Sequence, residues 1–256
     1  MSDPSILLEQ FNPLKNLQPI KQSIIVSVEG LEKSGKDTFM GSAPEPLIVF
    51  NNDYAGLRRA RLDERFKGKD IRVVFIPEID MNAHPDNIKD QAKRAVDLFR
   101  KQYDLALSAG RSIGIDNASD LWLLFRLAEF GRNKIESKTF GSEYDGINAD
   151  FSGIVKQAAR YPVNLILLHQ VNSQRDERGK LVPGSYSRKG FRHMGPLVDE
   201  IISLYRDDDS NKFMLRVLDS GFNAMLKGSE WEWQPDIAFI DYALKVFPNS
   251  TPDQWL

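Results

Sequence analysis

Seven consecutive residues, Gly30-Leu31-Glu32-Lys33-Ser34-Gly35-Lys36, match the pattern G-x-x-x-x-G-K. Each fixed position has a physical role. The glycines let the backbone curl until several amide N–H groups converge, and the lysine adds a cation on a long stem. Converging donors with a cation suit a polyphosphate, so Gly30, Glu32, Lys33, Ser34, Gly35, Lys36, Asp37 and Thr38 are the expected nucleotide-binding residues, with Lys36 reaching the β- and γ-phosphates. The residue after the lysine is Asp37, not the Ser or Thr that usually offers Mg²⁺ a hydroxyl, and Thr38 follows it. Three readings stay open: Asp37 ligates the metal, Thr38 supplies the hydroxyl, or metal binding is weakened. Nucleotide binding follows from the motif; rapid hydrolysis does not.

Hydrolysis needs further groups. A second acid must hold Mg²⁺ from the end of a neighbouring strand, and Ser112-Ile113-Gly114-Ile115-Asp116 has that form. Asp116 is therefore the expected metal residue, although such an Asp also serves to cap a helix. A base or water-orienting residue is found in Phe50-Asn51-Asn52-Asp53, where Asp53 is the candidate and a simple turn cluster the alternative. The run 163–168 ends in His169-Gln170. Gln170 is the candidate sensor of the γ-phosphate, while His169, a single histidine without a partner in the pattern, reads as structural.

These groups need elements to position them. Residues 23–28, 47–50, 71–76, 112–115 and 163–168 are apolar runs of the length of buried strands. Residues 86–108 carry Ile88, Ala92, Ala95, Val96, Phe99 and Tyr103 on one helical stripe, and further helices are expected near 120–130 and 151–160. A short helix opens at Lys36 and stops before Pro44. After residue 198 the rhythm changes to shorter strands at 200–205, 212–218 and 223–227, joined by Asp207-Asp208-Asp209-Ser210 and Asp219-Ser220-Gly221. The expected fold is α/β: a mostly parallel sheet flanked by helices and closed by an antiparallel C-terminal edge. Residues 1–22 form a polar lead-in, 23–228 the core and 229–256 a C-terminal extension.

The 256 residues, 41% hydrophobic and 27% charged, suit a globular chain with a substantial core. With no cysteine, disulfides, thiolate zinc sites and cysteine nucleophiles are excluded. No apolar run approaches the roughly 18 residues of a membrane span, and the acidic N-terminus does not read as a signal peptide; a cytoplasmic location without membrane contact is expected. The net charge of −2 says little, but its distribution is uneven. Residues 172–195 lack apolar periodicity and carry Arg175, Arg178, Lys180, Arg188, Lys189 and Arg192, with Tyr186 and Phe191 between them. This reads as a structureless loop that binds nucleic-acid phosphates and stacks bases, or alternatively as a solvated surface loop. A second basic cluster, Arg58, Arg59, Arg61, Arg65, Lys67 and Lys69, is diluted by Asp63 and Glu64.

The order of these parts resembles the RecA-like P-loop ATPase core, and more closely the short phage-type nucleotide-binding proteins that include single-strand annealing ATPases. The resemblance spans about residues 23–227 and rests on residues 30–38, Ile115-Asp116, 165–170 and the stretch 182–202, of which the first is specific. It implies a single-stranded-DNA-dependent ATPase using ATP and Mg²⁺ in phage-type recombination or replication, by annealing or strand exchange, in a bacterial host cytoplasm. It also implies a ring or filament of identical subunits with nucleotide between them, and a single-stranded-DNA-binding protein as a possible partner. Phe11 is then a candidate docking residue, with packing on its own domain as the alternative. Arg216 or Lys227 would serve as a basic residue given in trans. Asp53, one carbon shorter than the family's usual Glu, and Asp37 both depart from the family pattern and put the hydrolysis rate in question. Two other readings compete: a nucleotide-gated DNA-binding or assembly module with little catalysis, and a small-molecule kinase, against which stands the lack of an arginine-rich lid.

Overall fold

Aliphatic and β-branched residues crowd the expected strands, and in the computed structural model they build a nine-stranded sheet. The structure describes residues 22–52, 64–136, 144–175, 181–191, 193–207, 210–234 and 238–255. Six strands run parallel: β1 (Ile25–Gly30), β2 (Leu47–Asn51), β3 (Ile71–Phe75), β4 (Ser112–Asp116), β5 (Asn164–Arg175) and β7 (Glu200–Arg206). β6 (Leu181–Arg188) pairs antiparallel with the outer part of β5. β8 (Phe213–Ser220) and β9 (Glu230–Glu232) extend the far edge antiparallel to β7. The spatial order is β3-β2-β4-β5-β1-β7-β8-β9. The helices are α1 (Lys36–Gly41), α2 (Pro85–Ala109), α3 (Ala118–Glu136), α4 (Asp145–Ala158) and α5 (Ala238–Val246). The α/β plan expected from the sequence is the one adopted.

Strand alternation divides the apolar residues between two cores. Ile25, Ile48, Phe50, Ile113, Ile115, Leu165 and Leu167 face α2, α3 and α4. Val26, Val28, Leu47, Val49, Ile166, Leu168, Ile202 and Leu204 face the other way, against α1 and α5. The long helix α2 follows directly from its stripe, since Ile88, Ala92, Ala95, Val96, Phe99 and Tyr103 are all buried. It begins cleanly because the His84 side chain accepts from Asp86 N and Pro85 takes the first helical position. The C-terminal stretch joins the second core: Phe239, Tyr242 and Trp255 have no exposed surface.

Three expectations are corrected. Residues 172–195 are not a structureless loop: β5 runs on to Arg175 and β6 returns along it, forming a two-stranded arm. Its strand Leu181–Arg188 reads LVPGSYSR, a sequence without apolar alternation, and it is held by backbone pairing with β5. The third short C-terminal strand is not at 223–227. There Asn223 accepts from Met225 N and the chain makes a 3₁₀ turn at Ala224–Leu226, while β9 follows. Phe191 is not available for stacking, because it is 3% exposed and packs on Phe151 with ring centroids 5.3 Å apart. Among the described residues no helix is long and apolar enough to cross a membrane.

Candidate nucleotide site

The parallel register sets the site. Gly30 at the end of β1 lies opposite Gln170 of β5, Leu168 of β5 opposite Asp116 of β4, and Asp116 opposite Asn51 of β2. Neighbouring strands are about 4.8 Å apart, so the phosphate-loop glycine, the candidate sensor and the candidate metal acid lie on three adjacent central strands, with Asp116 beside Leu168, two residues back from Gln170 along β5. Residues 30–36 leave β1 there and lead into α1. Gly30 admits no side chain: a Cβ would lie 2.4 Å from Leu204 O and from Ser34 Oγ. Gly35 is fixed twice over, by φ +93° and by the indole of Trp233, whose Cζ2 would be 2.6 Å from an added Cβ. The loop tip is open, with Leu31, Glu32 and Lys33 exposed.

Lys36 folds back on its own loop, Nζ donating to Gly30 O at 2.8 Å and Leu31 O at 2.6 Å. Burial pushes its pKa below the ordinary lysine value, opposed by the charges of Asp37, Asp116 and Glu32. The expected residues thus surround the cation. Asp37 and Thr38 form the first turn of α1 and are half-buried. Asp116 is 6% exposed and accepts from Asn51 Nδ2 at 2.9 Å. The peptide Asp116–Asn117 is cis, and Asn52 brackets it. Asn52 N donates to Asp116 O at 2.8 Å, Asn117 N donates to Asn52 Oδ1 at 2.6 Å, and Asn52 Nδ2 donates to Asn117 O at 3.3 Å. Asp53, the candidate base, lies outside the described residues.

Gln170 connects the site to the arm. Lys189, just past β6, donates its backbone N–H to Gln170 O at 2.8 Å and its Nζ to Gln170 Oε1 at 3.1 Å. Ser119 Oγ at the start of α3 accepts from Gln170 N at 3.2 Å and donates to Lys189 O at 3.0 Å. The root of the arm is therefore tied to β5 at Gln170 and to the helix that follows Asp116. Arg188 is turned inward. Its Nε donates to Glu29 Oε1 at 2.7 Å, and both side chains are about nine-tenths buried, at 9% and 13% exposure. Glu29 immediately precedes Gly30. His169, paired with Glu29 in register, has no exposed surface and no hydrogen-bond partner for either ring nitrogen among the described residues. Burial, and then the charge of Arg188, hold its pKa well below the usual histidine value.

Of the other expected nucleic-acid contacts, Lys189 and Tyr186 are exposed, Tyr186 at 43%. The backbone of Arg175 ends β5, while Arg178, Lys180 and Arg192 lie outside the described residues, as does Phe11. The candidates for a trans-acting cation have local partners: Arg216 Nε is 2.6 Å from Glu230 Oε2, and Lys227 Nζ is 3.1 Å from Asp219 Oδ1. Sequence reasoning missed Asn51, Asn52, Ser119, Glu29 and Trp233. The run Asn51-Asn52-Asp53 carried a usable signal, since two buried-strand-end amides beside an acid strand have few other uses. Trp233 carried none, because it lies far along the chain from Gly35.

The residues fit an Mg²⁺–nucleotide. Ser34 Oγ and Asn51 Oδ1 are buried without partners among the described residues, and Asp116, Asp37 and Thr38 could supply oxygen. Among the described residues no cluster of three His, Asp or Glu could hold an ion alone. Mg²⁺ characteristically uses one or two carboxylates together with substrate phosphates, so this donor set suits an ion that arrives with its nucleotide.

No protein-family model and no curated protein matches the chain. Among solved structures, the RadB recombinase is similar at 12% identity and a TM-score of 0.48, over 84% of this chain and 89% of that one. A KaiC-like protein from the hyperthermophilic archaeon Pyrococcus horikoshii OT3 is similar at 14% identity and 0.42, over 83% and 87%. The functional reading rests on the site itself.

Two outcomes follow from the buried joint between β1 and the arm. Arg188→Met strands the Glu29 carboxylate and should lower stability in urea unfolding by about 3–5 kcal/mol. The double variant with Glu29→Leu should cost less than Arg188→Met alone; an additive loss would show that the pair is not coupled. His169 binds a proton when unfolded below about pH 6.5 but not when folded, so stability falls as pH drops from that point toward its folded pKa. Replacing it with Gln should remove up to about 1.4 kcal/mol of that loss per pH unit. Parallel stability–pH curves for wild type and variant would contradict the buried neutral imidazole.

Proposed function

We propose that this chain binds ATP with Mg²⁺ on residues 30–36 and hydrolyses it in response to single-stranded DNA, acting in recombination or replication by annealing or strand exchange. The observation that carries the reading is Lys36 folded onto Gly30 and Leu31 within reach of the Asp116 charge, on a loop whose Gly30 is in register with Gln170. In this reading Lys36 exchanges the carbonyls of Gly30 and Leu31 for phosphate oxygens, beside the backbone N–H groups of the loop. Mg²⁺, when bound, neutralises charge developing on the transferred phosphoryl group. Asp116 and the Asp37–Thr38 turn hold that ion, and Asp53 takes the proton of the attacking water.

Gln170 faces the terminal phosphate and moves the root of the arm through its two hydrogen bonds with Lys189. Arg175, Arg178, Lys180, Lys189 and Arg192 meet DNA phosphates and Tyr186 stacks on a base, while Arg188 anchors the arm. Identical subunits assemble into a ring or filament with nucleotide at the interface, in the cytoplasm and with a single-stranded-DNA-binding protein as a further partner. A second reading, a nucleotide-gated assembly module with little turnover, is favoured by Asp37, which sets a carboxylate where a hydroxyl usually meets the ion.

The test is phosphate release from ATP and Mg²⁺ with and without single-stranded DNA. The first reading expects stimulation that weakens with salt, and a loss of about 10²-fold or more in Lys36→Ala, as when a charge-stabilising donor is removed. Tight ATP binding without release, with or without DNA, would replace it by the second reading.

A further inference from the structure

Asn51 is the last residue of β2, and strand parity turns its side chain to the face that carries α1 and the phosphate loop. It has no exposed surface. An amide in that position is expensive unless its polar atoms are satisfied, and only half of it is: Nδ2 donates to Asp116 Oδ2 at 2.9 Å, while Oδ1 is buried with no partner among the described residues. A side chain kept only to tie β2 to β4 would satisfy both ends. The neighbouring ties are already made, since Asn52 holds Asp116 and Asn117 through three hydrogen bonds, and Asn51 O accepts from Ile76 N at 3.0 Å. Asn51 therefore adds nothing that the strand ends lack except a hold on the Asp116 carboxylate and a buried oxygen beside it.

We infer that Asn51 is a positioning residue for the divalent cation: its N–H fixes one oxygen of the Asp116 carboxylate, and its buried carbonyl oxygen accepts a hydrogen bond from a water in the cation's shell. The inference rests on the nucleotide reading above and adds to it a residue outside the phosphate loop. It also answers the departure at position 37. Mg²⁺ keeps several waters and tolerates little distortion of its octahedron, so a buried acceptor for one of those waters offsets the lost hydroxyl. Outer partners of metal ligands typically change metal affinity by about 10–100-fold.

The experiment titrates a fluorescent ATP analogue onto the whole chain in EDTA and then at rising Mg²⁺, reading the Mg²⁺ concentration that gives half of the added affinity. Asn51→Ala and Asn51→Leu, the latter filling the space without polar atoms, should both raise that midpoint by about 10–100-fold and leave affinity in EDTA unchanged. An unmoved midpoint in either folded variant, or an equal loss of affinity with and without Mg²⁺, assigns Asn51 a structural role and overturns the inference. Lys36→Ala separates the two levels of the account. If wild type binds no analogue, or Lys36→Ala binds as well as wild type, the nucleotide reading itself is lost. If wild type shows Lys36-dependent, Mg²⁺-tightened binding and the Asn51 variants match it, only the role of Asn51 fails.

Discussion

The placement of β5 between β1 and β4 is the constraint on which the site depends. Six residues of β1 and five of β4 are paired with β5 in unbroken parallel register, and that register sets Gly30 beside Gln170 and Asp116 two residues back along β5, beside Leu168. Parallel strands bonded on both sides cannot slip by one residue without turning every core side chain to the wrong face. The two apolar cores thus fix the chemistry at the strand ends as well as the sheet. Residues past the ends of the strands inherit that precision through short hydrogen bonds: Asn51 and Asn52 across β2 and β4, and Ser119 between Gln170 and Lys189.

The same strand carries the arm. β5 outruns its parallel neighbours and pairs with β6, so the strand beside the phosphate loop and the arm are one continuous element. Arg188 and Lys189 then divide the work at the root. The first is buried on Glu29, one residue from the phosphate loop, and the second is exposed and bonded to Gln170. A buried ion pair is weak evidence for net stability, and its value here is geometric, since it pins the arm to the residue that precedes Gly30.

Much of this was legible in the sequence, for physical reasons. Buried parallel strands read as apolar runs, α2 as a stripe, and residues 30–36 as a loop whose glycines and lysine have few other joint uses. Asp116 closes β4 as the run Ser112–Asp116 suggested, because an acid at the end of a buried strand has a position as well as a type. What escaped were features that depend on pairing across the chain. Glu29 and Arg188 are 159 residues apart in sequence, and as single residues each looks like a surface charge. The arm's strand Leu181–Arg188 carries no apolar alternation to announce it. Only the folded sheet sets the Trp233 ring against Gly35. Asn51 and Asn52 looked like turn residues because amides are common in turns, and only the register of β2 with β4 reveals what they hold.

The central claim is that phosphates bind on residues 30–36, and the most direct measurement is a crystal structure of the chain with Mg²⁺ and a non-hydrolysable ATP analogue. The account predicts the β- and γ-phosphates within hydrogen-bond distance of the loop N–H groups, with Lys36 Nζ moved from the carbonyls of Gly30 and Leu31 onto phosphate oxygen. An analogue bound elsewhere on the sheet, with Lys36 still folded on its own loop, would contradict it.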